Sequence, residues 1–155
     1  MKNMIDVRDV TRNHGSGPTA TAALRGVTFT VGEGKLVALL GRSGSGKTTL
    51  LNIVGGLDTP DSGSISVAGH DMTAMGERER MRLRRQTVAY IFQSFGLLPV
   101  LSAAENVSVP LRIARVAPEE RESRVEQLLS KIGLADHAKQ RPAELSGGQD
   151  RKSVV

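Results

Sequence analysis

Gly41-Arg42-Ser43-Gly44-Ser45-Gly46-Lys47-Thr48-Thr49 places a lysine and two hydroxyls directly behind three spaced glycines. The spacing fits G-x-x-x-x-G-K-[ST], the P-loop pattern, and its chemistry is the holding of a polyphosphate. Glycines let a backbone wrap an anion with its N–H groups inward, in conformations that other residues resist. A helix after Lys47 turns its positive end toward the same anion. Lys47 suits the β- and γ-phosphates as a point charge, and the Thr48 hydroxyl is placed for a Mg2+ ion that bridges them. A glycine-rich turn that binds nothing is the alternative. The flanks argue against it: an apolar run precedes the loop and an apolar-faced segment follows. Alone, the loop does not choose among kinases, GTPases, helicases and transport ATPases.

Two further sites narrow the choice. In Leu145-Ser146-Gly147-Gly148-Gln149, Ser146 offers a hydroxyl and the glycines allow close backbone approach. A helix beginning there aims its N-terminus at negative charge. Gln93 closes the β-prone segment Tyr90-Ile91-Phe92. With the P-loop, in this order, these motifs strongly resemble the nucleotide-binding domains of ATP-binding cassette (ABC) proteins, over about Met4 to Gln149.

The resemblance implies roles. Two such domains dimerise head to tail around two ATP molecules. Gly41, Arg42, Ser43, Gly44, Ser45, Gly46, Lys47, Thr48 and Thr49 bind the ATP of one domain, and Leu145, Ser146, Gly147, Gly148 and Gln149 close over the γ-phosphate of the other. Gln93 matches the Q-loop glutamine, which contacts Mg2+ or the attacking water and senses the membrane partner. An aromatic residue of the first loop packs on adenine; here His14 stands at that position, with less stacking area than a tyrosine. An ordinary loop histidine is the alternative. His70 and His137 read as structural, since neither has a partner at metal-ligand spacing.

Asn52-Ile53-Val54-Gly55-Gly56-Leu57-Asp58, Phe92-Gln93-Ser94-Phe95-Gly96-Leu97-Leu98-Pro99 and Glu105-Asn106-Val107-Ser108-Val109-Pro110-Leu111 resemble the lipoprotein-release and macrolide-export ATPases. That branch pairs with an FtsX-type permease, which presses a helix into the groove beside the Q-loop. The resemblance therefore implies ATP and Mg2+ as cofactors. Its partners are a second ATP-binding domain and an FtsX-type membrane permease, with no nucleic acid. It implies a place in the cytoplasm, peripheral on the inner face of the cell membrane.

The family continues past the signature motif with a long helix, then a strand ending in Asp-Glu that lies inside the sheet, then a histidine. Asp150-Arg151-Lys152-Ser153-Val154-Val155 matches none of these. One frame of a common short-read sequencing adapter encodes the same six residues and a stop, so 150–155 is expected to be a non-native tail. The expectation is an N-terminal fragment of an ATP-hydrolysing transporter subunit, unable to hydrolyse ATP alone, with an open sheet edge and exposed apolar faces. A non-hydrolytic nucleotide- or permease-binding fragment is a second reading. DNA-maintenance ATPases share both motifs but separate them with coiled coils or zinc modules; here one continuous stretch without heptads or cysteine joins them.

Composition sets the frame. The 155 residues suffice for one domain. Aromatics at 3% make nucleic-acid stacking platforms a poor fit. The absence of cysteine excludes a disulfide scaffold, a thiolate metal site and a cysteine nucleophile. The net charge of +5 owes much to Glu77-Arg78-Glu79-Arg80-Met81-Arg82-Leu83-Arg84-Arg85, a mixed-sign block that reads as a solvated helix face. No apolar stretch approaches the roughly 20 residues of a membrane-spanning helix, and the N-terminus lacks a signal-type apolar run.

The elements that must position these residues follow from periodicity. Met4–Val10 and Val27–Val31 alternate as strands, with a loop over Asn13–Pro18. Leu36–Leu40 reads as a strand buried on both faces. Thr48–Val54 reads as a helix, Thr59–Gly63 as a turn, Ser64–Val67 and Thr87–Phe92 as strands. Ser102–Pro110 and Pro118–Ile132 read as helices, the second opened by Pro118 and closed by Gly133. The expected fold is α/β: a P-loop NTPase core with an N-terminal antiparallel β part and a helical subdomain, incomplete at the C-terminus. Residues 1–93 form the core and β part, and 94–149 the helical subdomain.

Overall fold

A computed structural model describes residues 3–15, 17–92 and 96–145, Pro18 without its side chain. Gln93, Ser146, Gly147, Gly148, Gln149 and the six-residue tail lie outside the described residues. The chain divides into two compact units, Met1–Ala89 and Tyr90–Val155.

The first unit is built on two long strands. β1 (Asn3–His14) and β2 (Thr21–Gly32) pair antiparallel from Asn3 opposite Gly32 to His14 opposite Thr21. β3 (Ser62–Val67) pairs with the other edge of β1, and the short β4 (His70–Asp71) pairs with β3, giving the order β2-β1-β3-β4. Val7 and Val10 of β1, Leu24 of β2 and Ile65 and Val67 of β3 are buried. They pack with Leu50 and Ile53 of α1 (Lys47–Val54) and with Leu83 of α2 (Glu77–Gln86). Ile53 and Ile65 are 1% exposed, and burying each such side chain is worth about 2 kcal/mol. That core fixes α1, and so the P-loop, against the sheet.

α2 carries the mixed-sign block as a solvated face around one buried leucine. Glu77 pairs with Arg80 and Arg84, and these contacts hold its carboxylate below the usual range, the Arg84 hydrogen bond most of all.

The second unit is helical among its described residues. α3 (Ala103–Ile113) starts at a capping box: Ser102 Oγ accepts from the Glu105 N–H, and the Glu105 carboxylate accepts from the Ser102 N–H. α4 (Pro118–Lys131) opens with Pro118 at its first turn, and Gly133, at φ +69°, follows its end. Ala103, Val107, Val125, Leu129, Leu134 and Leu145 form the core of this unit.

Several expectations are corrected. Leu36–Leu40 forms no strand, and Leu36 and Leu40 are 101% and 91% exposed. A strand exists only where neighbours accept from its N–H groups and donate to its C=O groups; the pairing of β2 with β1 stops at Gly32, and no ladder among the described residues reaches 36–40. Thr87–Phe92 likewise has no ladder: the Thr87 and Val88 N–H groups are spent on the Leu83 carbonyl at the end of α2. Asn13 and His14 belong to β1 rather than to a loop because the pairing of β1 with β2 runs on to His14 opposite Thr21, and Ser62 and Gly63 belong to β3 rather than to a turn because the pairing of β3 with β1 reaches Ser62 opposite Thr11. No described helix is long and apolar enough to cross a membrane.

Candidate functional site

The P-loop runs from Gly41 into α1. Gly46 caps the helix at φ +84° and ψ 4°, a left-handed conformation that glycine adopts without a Cβ penalty. No acidic residue stands in the first turn of α1, so nothing in that turn competes with an anion for the helix end. The Lys47 ammonium is folded into the loop. It donates to the carbonyls of Gly41 at 2.8 Å and Arg42 at 2.7 Å and lies 3.3 Å from Ser45 Oγ. The loop is further closed by the Ser45 N–H on the Arg42 carbonyl. Thr48 is exposed and Thr49 half-buried at the same helix end. The loop, its lysine and the two threonines thus lie together at the N-terminal end of α1, the end of a helix that favours an anion.

His14 joins this group. Its Nε2 lies 3.1 Å from Thr49 Oγ1, a contact between residues 35 apart in sequence. The imidazole is exposed at the end of β1.

A cluster that sequence reading missed lies just behind His14. Arg12 forks onto Asp58, Nε to Oδ2 at 3.1 Å and Nη2 to Oδ1 at 2.8 Å, and its Nη1 donates to Asp61 Oδ1 at 2.8 Å. Asp61 Oδ2 also accepts from the backbone N–H of Asn13 at 2.7 Å and from its side chain at 3.0 Å. The Asn13 N–H, followed by Arg12, holds the Asp61 carboxylate below its usual range; Asp61 raises the guanidinium in turn. The partners are 46 to 49 residues apart, so no local spacing reveals them.

Leu145 is the one residue of the signature motif within the described residues. It is buried in the core of the second unit, and its N–H donates to the Pro142 carbonyl. His137 is bonded to Gln140, Nδ1 to Oε1 at 2.8 Å. Among the described residues no group of three or more His, Cys, Asp or Glu side chains is placed to hold a metal.

A glycine-capped loop closed by its own lysine at a helix N-terminus, behind an antiparallel sheet, defines a P-loop protein. The family model described as "ABC transporter" matches residues 24–155, and the chain belongs to that family. It is 44% identical over 152 residues to the macrolide export ATP-binding/permease protein MacB of Marinobacter nauticus, covering 98% of this chain and 24% of that protein. It is 40% identical over 154 residues to the lipoprotein-releasing system ATP-binding protein LolD of Pseudomonas fluorescens, covering 99% of this chain and 68% of that one. A solved dimer of the ATP-binding cassette MJ0796 in a post-hydrolysis state, bound to ADP and Pi, superposes with a TM-score of 0.89 at 34% identity, over 97% of this chain and 67% of that one. The fold is that of an ABC ATPase cassette. The chain spans about a quarter of the macrolide-export relative and about two thirds of the lipoprotein-releasing one.

Proposed function

We propose that this chain binds Mg2+-ATP as the nucleotide-binding part of an ABC transporter of the lipoprotein-release or macrolide-export kind. The observation that carries the reading is the closed P-loop, with Lys47 Nζ inside it at the N-terminus of α1. Lys47 exchanges its two carbonyls for phosphate oxygens, Thr48 supports the Mg2+ ion, and His14 offers its ring to adenine. Ser146, Gly147, Gly148 and Gln149 act on the ATP of a second copy, and Gln93 couples the site to an FtsX-type permease at the cytoplasmic face of the membrane. Residues 1–93 serve as the core and β part and 94–149 as the helical subdomain.

Hydrolysis needs an acid to support the metal and a group to orient water. In our reading both come from chain that the longer relatives possess beyond the portion matched here. The uncovered apolar run Leu36–Leu40 supports a further strand packing beside it. Calorimetric titration tests the core of the proposal. The 155-residue chain should bind Mg2+-ATP without releasing phosphate. Lys47→Ala should lose about 2 kcal/mol of that binding, roughly thirtyfold, as expected for one charge-assisted contact. Equal affinity in the two proteins would refute the site. Turnover by the 155-residue chain at the rate of a full-length cassette would refute the hydrolytic part.

A further inference from the structure

We infer that Arg12 is a positioning residue: its fork onto Asp58 and Asp61 sets the place of the base-facing ring of His14 relative to the P-loop. The inference rests on the reading of His14 as the adenine contact. It starts from a gap in the sheet. β1 is flanked by β2 and β3 only as far as Thr11, whose partner on β3 is Ser62. Beyond that point only β2 remains as a neighbour, and the register with β2 breaks between Arg12 and Asn13. The ladder alone therefore holds the last residues of β1 weakly.

The carboxylates take the place of the missing strand. Asp61 accepts the Asn13 N–H that β3 would otherwise engage, and Arg12 joins Asp61 to Asp58. Asp58 belongs to the turn that ends α1: the N–H groups of Leu57 and Asp58 both donate to the Asn52 carbonyl. α1 is thus tied to the end of β1 twice. Asp58 on Arg12 ties it beyond its C-terminus, and Thr49 on His14 ties it near its N-terminus. Two ties on one rigid helix fix the His14 ring against the loop that starts that helix. Side chains of Arg12, Asp58 and Asp61 are 25%, 26% and 35% exposed, and the fork is bidentate, so the network exceeds an isolated surface pair in strength.

The two ends of the ligand separate this role from general stability. ATP uses the base and the phosphates; inorganic triphosphate uses the phosphates alone. Both are titrated calorimetrically, with Mg2+, into the 155-residue chain and its variants. His14→Ala should weaken ATP about fivefold, the low end for loss of one stacking contact, and leave triphosphate unchanged. Arg12→Ala should do the same, and Arg12→Ala/His14→Ala should lose no more ATP affinity than His14→Ala alone. Arg12→Lys should fall between, because an ammonium cannot fork onto both carboxylates. Asp58→Asn reaches the clamp from its other side and should reproduce the ATP-selective loss if Arg12→Ala does not fold. Equal losses of ATP and triphosphate in Arg12→Ala, or losses that add in the double variant, would overturn the positioning role while His14 kept its own. No change in His14→Ala would remove the base contact itself, and the inference with it.

Discussion

Gly46→Ala should cost this protein about 3 kcal/mol of stability and more than roughly a hundredfold in affinity for Mg2+-ATP, the heaviest loss of any single change in the P-loop. Two penalties coincide there. The residue sits at φ +84°, where a side chain costs about 1 kcal/mol. A Cβ would also meet the Ala23 carbonyl oxygen and lie 2.9 Å from Leu24 Cδ2. Neither neighbour yields easily. Ala23 is backbone in the β1–β2 hairpin, and Leu24 is 5% exposed in the core. The loop must therefore move away from β2, carrying Lys47 and the first N–H groups of α1 with it. Such contacts weaken steeply with distance and angle. Gly34→Ala is the matched control: φ is +70°, and nothing lies within 4 Å of the added carbon. It should cost about 1 kcal/mol in chemical denaturation and leave ATP binding intact. If Gly46→Ala proved as mild as Gly34→Ala in both measurements, the hairpin would not be what sets the loop.

The loop was legible in the sequence because its chemistry is local. The helix signal comes from residues adjacent in sequence, with Gly46 at the N-cap, and the helix from Lys47 starts within one residue of its expected place. The second unit was legible for a similar reason. Pro118 and Gly133 are helix punctuation, and α4 lies within a residue of where they put it; α3 starts within one residue of its expected place but runs past its expected end at Pro110 to Ile113. The strands fared less well, because a strand is a property of two chains. Leu36–Leu40 and Tyr90–Phe92 have the composition of buried strands, yet composition does not supply the neighbour that makes one. Asn13 and His14 carry turn chemistry, yet pairing with Ala22 and Thr21 extends the hairpin through them. The Arg12 fork was invisible for the same reason at longer range. Arg12, Asp58 and Asp61 are unremarkable singly, and only the return of β3 beside β1 brings them together.

Asn106→Ala should destabilise the second unit by about 3 kcal/mol, more than an average core truncation of that size. Asn106 is 9% exposed on α3 and spends its whole side chain on the backbone before the helix. Its Oδ1 accepts the Leu98 N–H at 2.8 Å. Its Nδ2 faces the carbonyls of Leu98, Leu101 and Ser102 at 3.2, 3.1 and 3.0 Å. Alanine would leave these groups without that partner; the Leu98 and Ser102 carbonyls keep a backbone donor, while the Leu98 N–H and the Leu101 carbonyl lose the amide, at about 1–3 kcal/mol for each group left unsatisfied. Asn106→Asp separates hydrogen bonding from size. The shape is kept, but a carboxylate would face three carbonyls where an amide donated. The charged form is disfavoured in the folded state, so the pKa there is raised above its unfolded value. Destabilisation should therefore grow as pH rises through the unfolded value and shrink again in mild acid. Amide exchange over 98–101 should speed up in both variants. That segment presents Leu98 and Val100, 45% and 72% exposed, so what Asn106 holds in place is an apolar surface rather than the core alone. A loop that keeps its exchange rates in Asn106→Ala would mean that Leu98–Ser102 is held by packing and not by this amide.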